Sequence, residues 1–236
     1  MKGLFSESER AEEARIRAAY AKRQGDDARY SWFSPGHLFI VQERERRLLA
    51  LLHRYGFAPL SSKRILEIGC GTGYWLREFI KWGSRPENVT GIDLLPDRIA
   101  EARSLCPDGI KLHCGNAASL EFDDSMFDLV LQSTAFTSIL DPTTKQQIAS
   151  EMIRVLKVKG LILWYDYYMN NPWNPDVQGI KKKEINALFP SCNIDLRRIT
   201  LAPPLARRIA PHSWLLAYLL ERIPLLRTHY IGVIRK

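Results

Sequence analysis

Seven consecutive residues, Glu67-Ile68-Gly69-Cys70-Gly71-Thr72-Gly73, have the types and spacing best suited to chemistry. They run on from the strand-like stretch Arg64-Ile65-Leu66. Glycines let a backbone turn sharply and come close to a ligand, and the helix that follows aims its first N–H groups at any anion held there. A dinucleotide fingerprint, G-x-G-x-x-G, needs its third glycine at the sixth position. Here that position is Tyr74, and the third glycine comes one residue early. A bulky side chain there obstructs helix–strand packing and the approach of a pyrophosphate. The G-x-G-x-G spacing suits a smaller anion, such as an amino-acid carboxylate. Glu67, two residues upstream, can accept a hydrogen bond from an ammonium beside it. That pairing fits the methionine end of S-adenosylmethionine.

Two further residues stand where the rest of such a ligand would lie. Asp93 closes the run Gly91-Ile92-Asp93-Leu94, and an acid at that strand tip can accept both ribose hydroxyls. The feature is shared with NAD enzymes, and a helix cap before Pro96 is its other reading. Asn116, in Cys114-Gly115-Asn116-Ala117, places an amide where an adenine edge would sit, or serves simply as a turn residue.

These residues need a frame. Strand-like runs occur at 64–69, 89–94, 110–115, 127–132, 160–166, 193–201 and 229–235. Helical patterns occur near 73–82, 96–105, 143–157, 179–189 and 213–222. Such alternation predicts an α/β fold with a mostly parallel seven-stranded sheet and helices on both faces. Asp141-Pro142 reads as a helix cap and first-turn proline, and Gly160 as the stop of that helix. Before the sheet, the first 24 residues read as an exposed helix broken at Gly25-Asp26-Asp27. A second helix runs from about His37 to Tyr55. We expect a single domain over 1–236: a helical cap at 1–62, a cofactor-binding core at 63–202, an apolar helical insertion at 203–228 and a last strand at 229–236.

Composition bounds the class. The 46% hydrophobic content of 236 residues is ample for one core. The formal charge of +8, from 34 basic and 26 acidic residues, is scattered, and its longest run is Lys181-Lys182-Lys183. A solvated surface accounts for most of it, and no nucleic-acid partner is expected. Cys70, Cys106, Cys114 and Cys192 lack metal or disulfide spacing and read as reduced, mostly buried thiols. No signal-like or membrane-spanning stretch is apparent, so a soluble, cytoplasmic protein is expected.

The chain resembles the class I S-adenosylmethionine-dependent methyltransferases, especially the small-molecule branch that includes quinone-ring enzymes. The carriers are Ile65-Leu66-Glu67-Ile68-Gly69-Cys70-Gly71-Thr72-Gly73, Gly91-Ile92-Asp93, Asp123-Asp124-Ser125-Met126-Phe127-Asp128-Leu129-Val130, and Arg154-Val155-Leu156-Lys157 before Gly160. They lie in order between about 64 and 167. Val158-Lys159-Gly160 replaces the usual Pro-Gly-Gly, a change in a turn far from the ligand. The resemblance implies a Rossmann-like domain with an antiparallel final strand. It implies that Glu67, Gly69, Gly71 and Gly73 surround the methionine moiety, that Asp93 holds the ribose and that Leu94 lies against adenine. Asn116 and Ala117 would meet the adenine edge, with Gln132 beside the sulfonium. Cys70 and Tyr30 complete the candidate cofactor contacts, and S-adenosylhomocysteine would be the product.

Methyl transfer asks mainly for alignment of acceptor and methyl group, worth up to roughly 7–11 kcal/mol. A general base helps when the acceptor is a phenol, a hydroxyl or an acidic carbon. The aromatic loop Tyr30-Ser31-Trp32-Phe33-Ser34-Pro35-Gly36 with His37, and the run Tyr165–Pro175, supply the catalytic candidates His37, Asp166 and Tyr168. Both segments can equally be packing. His113 reads as a packed strand residue and His53 as a helix-surface residue. Asp141, Asp166 and Asn170 could offer oxygens to a divalent ion, but their spacing fits metal-dependent methyltransferases poorly, and no metal is expected. The apolar stretch 203–226 reads as core or lid, or as a wall or membrane-interface contact. The leading expectation is a small-molecule acceptor in an aromatic and apolar pocket. RNA or protein methylation, a non-catalytic cofactor-binding protein and an NAD reductase are the alternatives.

Overall fold

All four residues of Ile65–Ile68 (β1) are buried, which requires a central strand covered on both faces. The computed structural model describes residues 7–22, 30–172 and 174–236. Glu7–Ala21 (α1) and Pro35–Arg54 (α2) precede β1. Tyr74–Lys81 (α3), Val89–Asp93 (β2), Pro96–Leu105 (α4) and Lys111–Cys114 (β3) follow it. Next come Phe127–Ser133 (β4), Pro142–Val155 (α5), Leu156–Tyr167 (β5) and Lys182–Leu188 (α6). Asn193–Leu201 (β6), Pro203–Ile209 (α7), Trp214–Glu221 (α8) and Arg227–Arg235 (β7) complete the chain. The break expected at Gly25-Asp26-Asp27 lies outside the described residues, as does Trp173.

The seven strands form one sheet in the order β3-β2-β1-β4-β5-β7-β6. Pairing is parallel from β3 to β5, and β7 runs antiparallel to both β5 and β6. The period of two divides the core: Leu66, Ile68, Val130, Ile162 and Trp164 face one layer, and Ile65, Leu129, Leu131, Leu163 and Tyr165 the other. Phe39, Leu201, Ala206, Ala210 and Ala217 form a third cluster that ties α2 to α7 and α8.

Several local expectations change. The helix predicted to 157 stops at Val155 because Leu156 already pairs with Phe127. Gly160 is therefore no helix stop. It lies inside β5 at the register shift between Phe127 and Leu129, where a Cβ would meet Leu156 Cδ1 at 2.7 Å. The helix predicted from 179 begins at Lys182, since the Ile180 N–H donates to Tyr167 O at 2.8 Å and extends the strand end instead. His113 is exposed, its ring edge-on to Phe122, because β3 is an edge strand. Only Cys70 is fully buried; Cys106 and Cys192 are half-buried and Cys114, also on β3, is exposed. Helix α1 is not simply exposed. Glu9, Glu12 and Ala19 are buried, and Arg15 pairs with both oxygens of Glu12 at 2.8 Å.

Candidate functional site

The turn leaving β1 is held from below by β2. Gly69 and Cys70 both donate to Ile92 O, and the Gly71 N–H donates to Asp93 Oδ2 at 2.8 Å. Asp93 Oδ1 accepts from the Leu95 N–H at 2.9 Å, so one carboxylate joins the glycine turn to the start of α4. Gly69 has φ +68°, and a Cβ there would lie 2.9 Å from Ala135 Cβ, at the exit of β4. Gly71 has φ +52° and open space where its Cβ would be, which leaves its backbone bare toward the cleft. Gly73 donates to Cys70 O and accepts from the Arg77 N–H, closing the turn into α3.

A cleft of about 260 Å³ opens beside this turn. Gly69, Gly71, Asp93, Leu94, Asn116 and Ala117 line it together, bringing six of the sequence-predicted cofactor residues to one space. Asn116 Oδ1 accepts from the Ala118 N–H at 2.9 Å, which orients its amide at the end of β3. Glu67, Cys70, Gly73, Gln132 and Tyr30 do not line the cleft. Cys70 is buried behind the turn, and burial pushes its thiol up. Gln132 is fully buried; it donates to Tyr165 O at 3.4 Å and accepts from the Ala135 N–H at 3.3 Å, bracing the β4 exit. Tyr30 sits in the cap, edge-on to His37 at 5.9 Å.

Glu67 is the informative member. Its carboxyl is buried beneath the turn, Oε2 has no hydrogen-bond partner, and its pKa is pushed well up by burial, then by Asp93, against the opposing pull of Arg44 and Arg77. A buried, unpartnered carboxylate oxygen costs free energy until a donor reaches it. The ammonium of an amino-acid ligand is such a donor. The residues present would fit S-adenosylmethionine, with Asp93 toward its ribose hydroxyls, Asn116 and Ala117 toward adenine, and the buried Glu67 oxygen, behind the cleft lining, as the candidate acceptor for its ammonium. Asp93 is itself raised, by burial first, but each of its oxygens retains a second acceptor position.

Helix α1, absent from the sequence-predicted site, forms part of the cleft wall with Glu12, Ile16 and Tyr20. Glu12 accepts from the Leu140 N–H and Arg15 donates to Ser138 O, clasping the helix to the segment that follows β4. Ser8 adds a 3.0 Å bond to Asp141, the cap of α5. The signal was the Glu12–Arg15 spacing beside Ile16 and Tyr20, which on sequence alone reads as a solvated face. Ser133, Thr134, Arg98 and Leu95 also line the cleft without having been singled out.

The three catalytic candidates lie apart. Asp166 is fully buried, with Thr137 Oγ1 donating to it at 2.8 Å and the Tyr167 N–H at 2.9 Å; burial pushes its pKa up to about 7. The Tyr168 hydroxyl donates to Arg227 O at 2.6 Å, and its ring lies against Tyr230 at a surface depression separate from the cleft. His37 is half-buried among Tyr30 and Trp32, and burial, then Arg44 and Arg207, lower its pKa. Around it the cap is aromatic: Trp32 meets Tyr74, Arg44 stacks over Trp75 at 4.6 Å, and the buried His229 lies on Tyr165 and Tyr167. Asp141 caps α5, and Asn170 accepts from the Gly179 N–H. Among the described residues, no three His, Cys, Asp or Glu side chains gather as a metal site.

Residues 65–160 match a protein-family model described as a methyltransferase domain. Phthiotriol/phenolphthiotriol dimycocerosates methyltransferase 1 of Mycobacterium ulcerans is 31% identical over 161 residues, 64% of this chain and 58% of its own length. Human (Homo sapiens) EEF1A lysine methyltransferase 2 is 31% identical over 137 residues, 54% of this chain and 56% of its own. The chain thus aligns with little more than half of each curated relative. The crystal structure of an S-adenosylmethionine-dependent methyltransferase from Mesorhizobium loti superposes with a TM-score of 0.59 at 19% identity, over 81% of this chain and 96% of that one. The matched stretch begins at β1 and ends inside β5, spanning the glycine turn and most of the cleft. Strand order, turn and matched segment agree: residues 65–160 are similar to a methyltransferase domain, and they sit in the fold seen in S-adenosylmethionine-dependent methyltransferase structures.

Proposed function

We propose that this protein transfers the methyl group of S-adenosylmethionine to a small, largely apolar acceptor, leaving S-adenosylhomocysteine. The observation that carries this reading is the cleft beside the glycine turn, with the unpartnered Glu67 oxygen buried beneath it. The bound cofactor supplies a methyl group already activated on a positive sulfur, so the protein's task is holding and aligning. Glu67 takes the ammonium, Asp93 the ribose, and Ile16 and Tyr20 of α1 keep water from the cleft. His37, in the aromatic cap outside the cleft lining, has its pKa lowered by burial and by Arg44 and Arg207, which favours the neutral imidazole that a proton acceptor for a hydroxyl substrate needs.

The aromatic cap around His37 supports an apolar or ring-bearing acceptor, and a relative named for a phthiotriol dimycocerosate points the same way. A protein acceptor is the second reading, favoured by the lysine methyltransferase relative. The cleft's charge speaks against nucleic acid: among the described residues Arg98 is the one cation lining it, against Glu12, Glu13 and Asp93. The test is transfer of a labelled methyl group across phenols, quinones, sugars, lipids and lysine peptides, with mass spectrometry of the product. Absence of any calorimetric heat with S-adenosylmethionine or S-adenosylhomocysteine would overturn the proposal.

A further inference from the structure

Helix α8 is apolar nearly all round yet buries little. Of its eight residues, Trp214-Leu215-Leu216-Ala217-Tyr218-Leu219-Leu220-Glu221, only Ala217 and Glu221 are buried. Leu215 is 70% exposed, and Leu225, just beyond the helix, is 84% exposed. A helix of this kind is normally enclosed by protein or lipid, and contiguous exposed apolar surface marks an interaction site. The start of α2 packs beside α7 and α8: Gly36 lies against the backbone of Arg207 in α7, and Phe39 meets the Trp214 indole of α8 edge-on at 5.5 Å. That contact brings the aromatic loop onto the same cap, with Phe33 97% exposed.

Charge identifies what covers this face. Between residues 203 and 228 the sequence holds Arg207, Arg208, Arg222 and Arg227 but a single acid, Glu221. Glu221 is buried and faces Arg47 at 3.5 Å. Arg208 and Arg222 are exposed, and neither has a carboxylate partner among the described residues. Arg222 instead bonds the Tyr218 hydroxyl at 3.0 Å. A second copy of this face would bring these cations against each other, which is unfavourable. An anionic lipid surface meets both halves of the pattern: leucines enter the acyl boundary, arginines meet headgroups, and Trp and Tyr sit between. Among the described residues no helix is long and apolar enough to cross a membrane, so the contact lies along the surface.

We infer that the α7–α8 cap, through Leu215, Leu219, Leu225, Arg208 and Arg222, docks this protein on an anionic membrane surface. The docking does not depend on the methyl-transfer reading. The experiment is co-sedimentation of the full chain with phosphatidylcholine vesicles, with and without phosphatidylglycerol. The wild type binds the anionic vesicles, and less so as salt rises. The double variants Leu215→Ser with Leu225→Ser, and Arg208→Glu with Arg222→Glu, each lower the partition coefficient by at least about tenfold. All of these side chains are exposed, and unchanged melting shows that the variants fold. Calorimetry with S-adenosylhomocysteine on the same preparations tests the cofactor site separately, so either proposal can fail alone. Failure to bind anionic vesicles, or binding unaffected by both variants, overturns the docking. So does a wild-type dimer in light scattering that Leu215→Ser with Leu225→Ser converts to monomer without any vesicle binding.

Discussion

Asp93 reaches back from the tip of β2 to accept a hydrogen bond from the Gly71 N–H at 2.8 Å, so the residue proposed to hold ribose also fixes the turn proposed to hold methionine. Replacing it with Ala removes two charge-assisted bonds to backbone N–H groups as well as the ribose acceptor. S-adenosylhomocysteine affinity is expected to fall roughly 10- to 100-fold, or about 1.4–3 kcal/mol, in calorimetry. Asp93→Asn, which keeps one acceptor oxygen, should lie between Ala and wild type.

Glu67 predicts a proton count. In the free protein its raised pKa keeps the carboxyl protonated at pH values where an ordinary glutamate is ionised. Pairing with an ammonium favours the carboxylate, so cofactor binding below that raised pKa releases up to about one proton. Calorimetry in buffers of different ionisation enthalpy measures this release. Glu67→Gln should abolish it and weaken binding; undiminished release in that variant would place the titrating group elsewhere.

Gly69→Ala tests the packing of the turn against the β4 exit. With φ at +68° and Ala135 Cβ 2.9 Å away, the new methyl meets both backbone strain and a clash. A loss of about 1–3 kcal/mol is expected in denaturant unfolding. Adding Ala135→Gly should restore the part due to the clash and leave the part due to the dihedral.

Away from the cleft, Glu43 lies buried beside Glu221, between α2 and α8. Burial and the neighbouring carboxyl push its pKa up to about 8. A carboxyl held protonated by the fold favours folding fully below its ordinary pKa of 4.5, and that contribution is lost as pH rises toward 8. The melting temperature should therefore fall with pH across that window. Glu43→Gln should flatten the slope and melt higher than wild type above pH 8.

His37→Ala distinguishes a proton acceptor from a packing residue. If the acceptor atom is a hydroxyl oxygen, turnover should drop by roughly 10²- to 10⁴-fold while S-adenosylhomocysteine affinity stays unchanged. Because the imidazole's pKa lies below its usual 6.5, the wild-type rate should be level from neutral pH upward. A variant with unaltered turnover would make His37 a packing residue.

The frame was legible because central parallel strands announce themselves. Ile65–Ile68, apolar but for Glu67, and Leu161–Tyr165 within β5 are the kind of run that buried strands need. The turn was legible because three glycines adopt φ values that other residues avoid. What escaped depends on partners distant in sequence. Glu12 and Arg15 look like any solvated pair until Leu140 and Ser138 are brought beside them. Leu156 belongs to a strand because Phe127 pairs with it, and His113 is exposed on β3, beyond which no strand pairs among the described residues. Asp166 and Tyr168 stand near the end of one strand, yet one points its polar atoms at Thr137 and the other at Arg227.

The clasp that Glu12 and Arg15 make with the backbone after β4 has a consequence for traffic through the cleft. These bonds, with the packing of Ile16 on the core, hold α1 over the cleft, so a guest bound there would lie against the same helix. Occupancy should thus be visible from outside as protection of the α1 segment from proteases and from amide exchange. On the proposed function, departure of the spent nucleoside is the step that release of α1 would govern.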